Sequence, residues 1–178
     1  MTDAQTGILV ALVKNINDKG LSLGKIQFQK LVFFLKRFGV PFKVRYSIYR
    51  YGPYSEEVTS SLNALDSLDI LDVSLDDTRL GYNISLDEYA PAVLEHYSEA
   101  ISEQMEKINF VVDNFAIETA RSLEAEATLL FADIVLKEDG SDISDEAVRS
   151  AVKGLKPKFT DEELEEKQNK LKSLGFID

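Results

Sequence analysis

The spacing of apolar residues most limits the fold of this chain, because it alternates between helical and strand-like periods before becoming helical throughout. Two helical stripes precede a short run rich in aromatic and β-branched residues, a third helical stripe and two alternating segments. These segments lie at about residues 6–17, 23–38, 44–49, 53–68 and 71–86. Helix, helix, strand, helix and hairpin follow one another in a winged helix, which we predict for residues 1–87.

The remaining residues, 88–178, keep helical spacing and predict an all-helical module packed on the first. Long helices are expected at about 88–114 and 116–137, followed by two shorter ones. The last helix has a clear start, because Thr160 and Glu163 have the spacing of a capping box. We therefore predict a mainly α protein with a small antiparallel β hairpin, built as a winged-helix-like N-terminal module followed by a C-terminal helical bundle.

Charge is distributed unevenly along the chain. The net charge is −11, yet the first 60 residues hold nine Lys and Arg against four acidic residues. Such asymmetry suggests either a charged partner or mutual attraction between the two parts of the chain. Lys153, Lys156 and Lys158 stand within the acidic part. We expect them to hold the nearby acidic helices, with a second anion contact as the alternative.

Enzymatic chemistry finds little support in the sequence. Without Cys, the chain has no disulfides, thiolate metal sites or cysteine nucleophiles, and its single histidine, His96, cannot form a common zinc site alone. Neither a phosphate-loop pattern nor a nucleophile elbow is present. Glu124 and Glu126, two apart on a helix, point in different directions and suit acid–base catalysis poorly. We predict a protein without enzymatic activity, cofactor or metal.

The N-terminus and the longest early apolar run bear on localisation. The chain begins with an acidic rather than a basic segment, and the run from Ile8 to Val13 is far too short to span a bilayer. We expect a cytoplasmic protein with no membrane partner.

Three stretches resemble known protein families. The first, Lys25–Leu35, reads KIQFQKLVFFL and resembles a helix of the Panacea antitoxin domain, although Phe28 and Phe33 replace the commoner Leu and Tyr. It equally resembles a helix of a related family of uncharacterised predicted regulators. The second, Tyr49–Glu57, reads YRYGPYSEE and is similar to a signature shared by that domain and the related family. The tail from Leu155 to Ile177 looks like the ending of the second family. The resemblance implies a winged-helix-like, non-enzymatic protein that neutralises or regulates another macromolecule.

The middle stretch contains the candidate binding site. Pro53 is predicted to lie in the first turn of the third helix, so the N–H groups of Tyr54 and Ser55 would point outward beside the positive charge of Arg50. This arrangement suits a phosphate or an acidic side chain; alternatively, the motif only builds the fold. The predicted partner-binding residues are Arg50, Tyr51, Gly52, Pro53, Tyr54 and Ser55, joined by Ile26, Lys30, Phe33 and Arg37 if the second apolar side of their helix is open.

DNA recognition is the alternative. In a winged helix the third helix normally enters the major groove of DNA, but here it carries acids and no Lys or Arg. The turn predicted between the two strands of residues 71–86 holds Asp76 and Asp77 against a single Arg79. Conventional docking is therefore disfavoured, whereas sequence-independent contact needs only clustered cations. The candidate nucleic-acid-binding residues are Lys25, Lys30, Lys36, Arg37, Lys43 and Arg45. We expect a protein partner, such as a toxin or a defence effector, and keep a DNA-binding transcriptional regulator as the alternative.

Overall fold

The computed structural model describes residues 3–76 and 81–178 and is mainly helical with two small antiparallel hairpins, which confirms the predicted fold class. The helices are α1 (Asp3–Asp18), α2 (Lys25–Arg37), α3 (Glu56–Ser67), α4 (Ala90–His96), α5 (Ser98–Phe115), α6 (Ala120–Glu138), α7 (Asp145–Leu155) and α8 (Asp161–Ser173). The strands are β1 (Ser47–Tyr49), β2 (Gly52–Tyr54), β3 (Leu71–Leu75) and β4 (Tyr82–Leu86). Across these two stretches of chain, no helix has both the length and the hydrophobicity to cross a lipid bilayer.

The first compact unit, unit 1, comprises Met1–Tyr46 and Ser55–Glu118. Its core lies between α1, α2 and α5, where the ring of Phe34 stacks on that of Phe115 with centroids 4.0 Å apart. The β3–β4 hairpin pairs Leu71 with Leu86 and packs against α1 and α3. The order of three helices followed by a hairpin agrees with expectation, and the winged-helix assignment stays a prediction.

The second compact unit, unit 2, comprises Ser47–Tyr54 and Thr119–Asp178. Its central helix, α6, packs against α7, α8 and β2. The division between units therefore falls after Glu118 instead of at the predicted boundary between residues 87 and 88. The physical reason is that α4 and α5 pack against α1 and contribute apolar side chains to the core of unit 1.

Local structure departs from expectation at two points. Pro53 does not begin a helix; it lies in β2 opposite Ile48, and α3 starts later with Ser55 as its N-cap. The helix expected at about 88–114 is divided at Tyr97 into α4 and α5. The capping box of Thr160 is confirmed. Two residues of the turn predicted between the strands of residues 71–86, Asp77 and Arg79, lie outside the described residues.

Candidate partner-binding site

The β1–β2 hairpin contains most of the predicted motif, and its shape depends on a glycine. Gly52 has a φ of 83°, whereas Arg50 and Tyr51 keep negative φ values. Because Tyr49 pairs with Gly52, the loop between the two strands consists of Arg50 and Tyr51, and Gly52 closes it in a backbone conformation that favours glycine. A Cβ atom at Gly52 would also lie only 2.8 Å from Oγ1 of Thr128 on α6. Both the turn and the close approach to α6 therefore require glycine.

The end of this hairpin projects three large side chains into solvent. Tyr49 is 67% exposed, Tyr51 is 45% exposed, and Arg50 is also exposed. The rings of Tyr49 and Tyr54 stack with centroids 5.5 Å apart, and the Arg50 guanidinium carbon lies 5.5 Å from the Tyr51 ring centroid. We call Tyr49, Arg50 and Tyr51 the hairpin tip. These contacts restrict the side chains while all three remain exposed.

A buried lysine supports the tip from within unit 2. Lys156 donates hydrogen bonds to the backbone oxygen of Tyr49, at 2.9 Å, and to that of Arg50. Its Nζ also lies 3.3 Å from Oε1 of Glu124, and Lys158 donates to the other carboxylate oxygen at 2.7 Å. The expectation that basic residues here hold an acidic helix is confirmed for these two lysines. Lys156 thus holds the carbonyls of the turn in place, and the carboxylate of Glu124 balances its positive charge.

A similar arrangement repeats further along α6. Glu126 is fully buried, and its Oε1 accepts a hydrogen bond from Lys170 at 2.9 Å while Lys167 lies 3.8 Å away. Unit 2 is therefore held together partly by buried carboxylates of α6 that face lysines from the C-terminal segment. No three acidic or histidine side chains in the described part of the chain come together in a way that could hold a metal ion.

The part of the motif that follows the hairpin has a structural role. Ser55 is buried, and its N–H donates a hydrogen bond to Oε1 of Gln29 at 3.1 Å. In return, Nε2 of Gln29 donates to the backbone carbonyl oxygen of Ser55 at 2.9 Å. The Ser55 hydroxyl caps α3 by accepting from the N–H of Val58. The anion site predicted at the N–H groups of Tyr54 and Ser55 is therefore wrong, because Tyr54 lies in a strand and the Ser55 donor is already used. Pro53 is buried as well.

The four candidates on α2 do not form one surface. Lys30 and Phe33 are buried, and the Phe33 ring meets Tyr46 edge-on at 4.9 Å, so neither side chain is accessible to a partner. Ile26 and Arg37 are exposed. They lie about 16 Å apart along the helix at 1.5 Å per residue. Both belong to unit 1, whereas the hairpin tip belongs to unit 2.

Half of the predicted nucleic-acid-binding residues are engaged within unit 1. The Lys25 ammonium lies 3.7 Å from the ring centroid of Tyr82, and Lys36 donates to the backbone oxygen of Phe42 at 2.9 Å. Lys30 is buried. To bind phosphate, these three lysines would have to give up the contacts that they make within unit 1, and losing those contacts costs free energy.

The other half remains accessible. Arg37, Lys43 and Arg45 are exposed, and the nearest carboxylate to Arg45, that of Glu57, is 4.0 Å away. Three of the six predicted cations are therefore exposed. Helix α3 has two acids in its first turn and no basic residue in its last.

Comparison with known proteins adds a relative of nearly equal length. The chain is similar to "Uncharacterized protein YwgA" of Bacillus subtilis (strain 168), with 29% identity over 171 residues that cover 93% of this chain and 95% of that protein. No protein-family model matches the chain. The similarity covers residues of both units, so the relative shares more than the hairpin motif. The name of this relative describes no activity.

Sequence reasoning missed the first residue of the tip and the support beneath it. Tyr49 is absent from the predicted partner-binding residues, although its place beside Arg50 in the same aromatic motif is a usable signal. Glu124 and Lys156, which pair beneath the tip, lie far apart in the sequence. The only sequence signal for this pairing is their opposite charge, since Glu124 lies in a mostly apolar helix and Lys156 in a basic cluster.

Proposed function

We propose that this chain is a non-enzymatic, cytoplasmic binding protein that engages and controls a protein partner through the hairpin tip, as an antitoxin or phage-defence protein would. The observation that carries the proposal is a pair of exposed tyrosines and an exposed arginine on a turn whose carbonyls are bound by a buried lysine. The antitoxin-like role rests on the resemblance of the helix and hairpin motifs to the Panacea domain.

Physical chemistry favours these side chains as contact residues. Tyrosine and arginine dominate the binding energy of many protein interfaces, because they provide large contact area together with hydrogen bonds. A turn that is already rigid loses little conformational entropy when it binds. The bonds from Lys156 to Tyr49 and Arg50 provide that rigidity here.

A protein partner is favoured over DNA by the distribution of charge. Helix α3 carries Glu56 and Glu57 in its first turn, which would face phosphates in the usual winged-helix pose. Three exposed cations, Arg37, Lys43 and Arg45, support the alternative of sequence-independent DNA contact. DNA retention that falls steeply with salt, and that is lost when these three residues are changed to Gln, would support the alternative instead.

The decisive experiment co-expresses the chain with each neighbouring reading frame of its native genome and measures growth and co-purification. One product should be toxic alone, co-purify with the chain and be neutralised by it. Tyr49→Ala and Arg50→Glu should each weaken capture by about 30-fold, which corresponds to about 2 kcal/mol, without loss of the helical signal.

The matched control is Tyr89→Ala, because Tyr89 is 51% exposed but lies in unit 1 outside the motif. It should bind as the unchanged chain does. Capture that survives the tip variants, or that is lost equally in the control, would contradict the assignment of the tip.

A further inference from the structure

The outer edge of β1 presents backbone groups that the hairpin itself does not use. In β1–β2, Ser47 pairs with Tyr54, Ile48 with Pro53 and Tyr49 with Gly52. Directly opposed residues in an antiparallel pair alternate between those that exchange hydrogen bonds and those that do not. Pro53 has no N–H, so the hydrogen-bonded pairs must be the two flanking ones. The N–H and C=O of Ile48 consequently point away from β2.

Nothing in the described residues covers that edge with a further strand. The β1–β2 sheet has two strands in the part of the chain that the structure describes, and β2, not β1, is the strand that packs on α6. The side chains on either side of Ile48, those of Ser47 and Tyr49, are exposed. Among the described hydrogen bonds, none involves the backbone of Ile48. An edge of this kind is a template for another extended chain.

We propose that β1 is a strand-addition site, and that an extended, acidic segment of the protein partner binds there as a third strand. The inference rests on the function proposed above and specifies how the partner is held. Main-chain bonds to Ile48 set the direction and register of the segment, while Tyr49 supplies contact area beside it. The acidic character follows from Arg50, which is the only charged side chain in residues 47–54 and is exposed at the end of β1.

The rest of the surroundings suits this occupant. Leu155, at the end of α7, is exposed and directly precedes the lysine that binds the Tyr49 and Arg50 carbonyls, so apolar surface lies near the tip. Because Lys156 holds those carbonyls from within the unit, the edge keeps its shape in the free protein. A partner segment therefore finds a preformed strand, which reduces the entropic cost of adding to it.

The test uses the full chain and two short synthetic peptides, one in which Thr and Val alternate with Glu and one in which Lys replaces each Glu. Binding is measured by fluorescence anisotropy, and the exchange of individual backbone amides is measured by NMR. The Glu peptide should bind at least about tenfold more tightly than the Lys peptide and should slow exchange at Ile48. Amides already paired across the hairpin, such as that of Tyr49, should change much less.

Variants at one position separate the backbone effect from the side-chain effect. Ile48→Pro removes the outward N–H but no bond to β2, so it should weaken peptide and partner binding by about tenfold or more. Ile48→Val keeps the N–H and should bind normally. If Ile48→Pro does not fold, the exchange measurement on the unchanged chain still decides the question, because it needs no variant.

Several results would overturn the inference. Unchanged exchange at Ile48 in the complex, equal binding of both peptides, or binding of neither would each refute strand addition by an acidic segment. Dimers of the chain that Ile48→Pro dissociates would assign the edge to a second copy of this protein instead. Partner capture that is lost in Tyr49→Ala but intact in Ile48→Pro would refute the edge while leaving the proposed function in place. Partner capture that stays intact in both Tyr49→Ala and Ile48→Pro would refute the strand-addition site and the proposed function of the hairpin tip together.

Discussion

Replacing Lys156 with methionine is expected to destabilise unit 2 and to loosen the hairpin tip. The change removes two charge-assisted hydrogen bonds to backbone oxygens, and the buried Glu124 keeps its hydrogen bond from Lys158. Breaking a buried pair from one side costs about 3–5 kcal/mol, since the other charge stays buried. Retention of Lys158 at 2.7 Å places the expected loss near the lower end, at about 3 kcal/mol.

The measurement is urea unfolding followed by far-UV circular dichroism, because the chain contains no tryptophan. The matched control is Lys172→Met. Lys172 also forms an ion pair within unit 2, with Asp145 at 2.8 Å, but the two side chains are 33% and 45% exposed. A surface pair of this kind contributes about 0–1 kcal/mol.

A double-mutant cycle with Glu124→Gln isolates the interaction. The two changes should be coupled by about 1–3 kcal/mol, so that the double variant loses less stability than the sum of the single ones. A Lys156→Met variant no less stable than the Lys172 control, or additive effects in the cycle, would refute the reasoning that this lysine supports the tip.

Three further predictions concern other contacts. Gly140→Ala places alanine at a φ of 67° with open space around it and should lower the free energy of unfolding by about 1 kcal/mol. Gly52→Ala adds the clash with α6 to the same kind of backbone strain. It should lower the free energy of unfolding by about 3 kcal/mol, as measured by urea unfolding. Burial raises the pKa of Tyr46 well above its ordinary value of 10.0, so stability should fall as the pH rises above about 10, and Tyr46→Phe should reduce that loss in urea titrations at alkaline pH. Hydrogen bonds from Arg121 lower the pKa of Glu163 from its ordinary value of 4.5, so stability should be lost as the pH falls below about 4.5, and Arg121→Met should make the acid titration shallower.

Helices with a strong apolar period were predictable from the sequence, and the hairpin before α3 was not. Gly52-Pro53 fits a helix start, because proline is favoured in the first helical turn. It fits a hairpin equally well, since glycine can close a turn at positive φ. Contact with Thr128 on α6 distinguishes the two, and that residue lies far away in the sequence.

The candidate site was partly predictable for a similar reason. Arg50 and Tyr51 stand in a polar, aromatic motif between two elements, where exposure is the ordinary expectation. Lys30 belongs to the predicted site only on the condition that the second apolar side of its helix is open. Although lysine is almost never fully buried, this one lies in the core of its unit. The burial of Glu124 and Glu126 likewise depends on lysines from the α7–α8 connection and from α8, which reach the two carboxylates only in the folded protein.

The membership of residues 47–54 in unit 2 has a consequence for the order of events during synthesis. Arg50 leaves the ribosome 106 residues before Lys156, the donor that its carbonyl needs. At roughly 5–20 residues per second, the nascent hairpin waits about 5–20 s for that donor. Throughout this interval its tyrosines and strand edge are open to chaperones and to other nascent chains, and no single proteolytic cut can release one unit with its sequence complete.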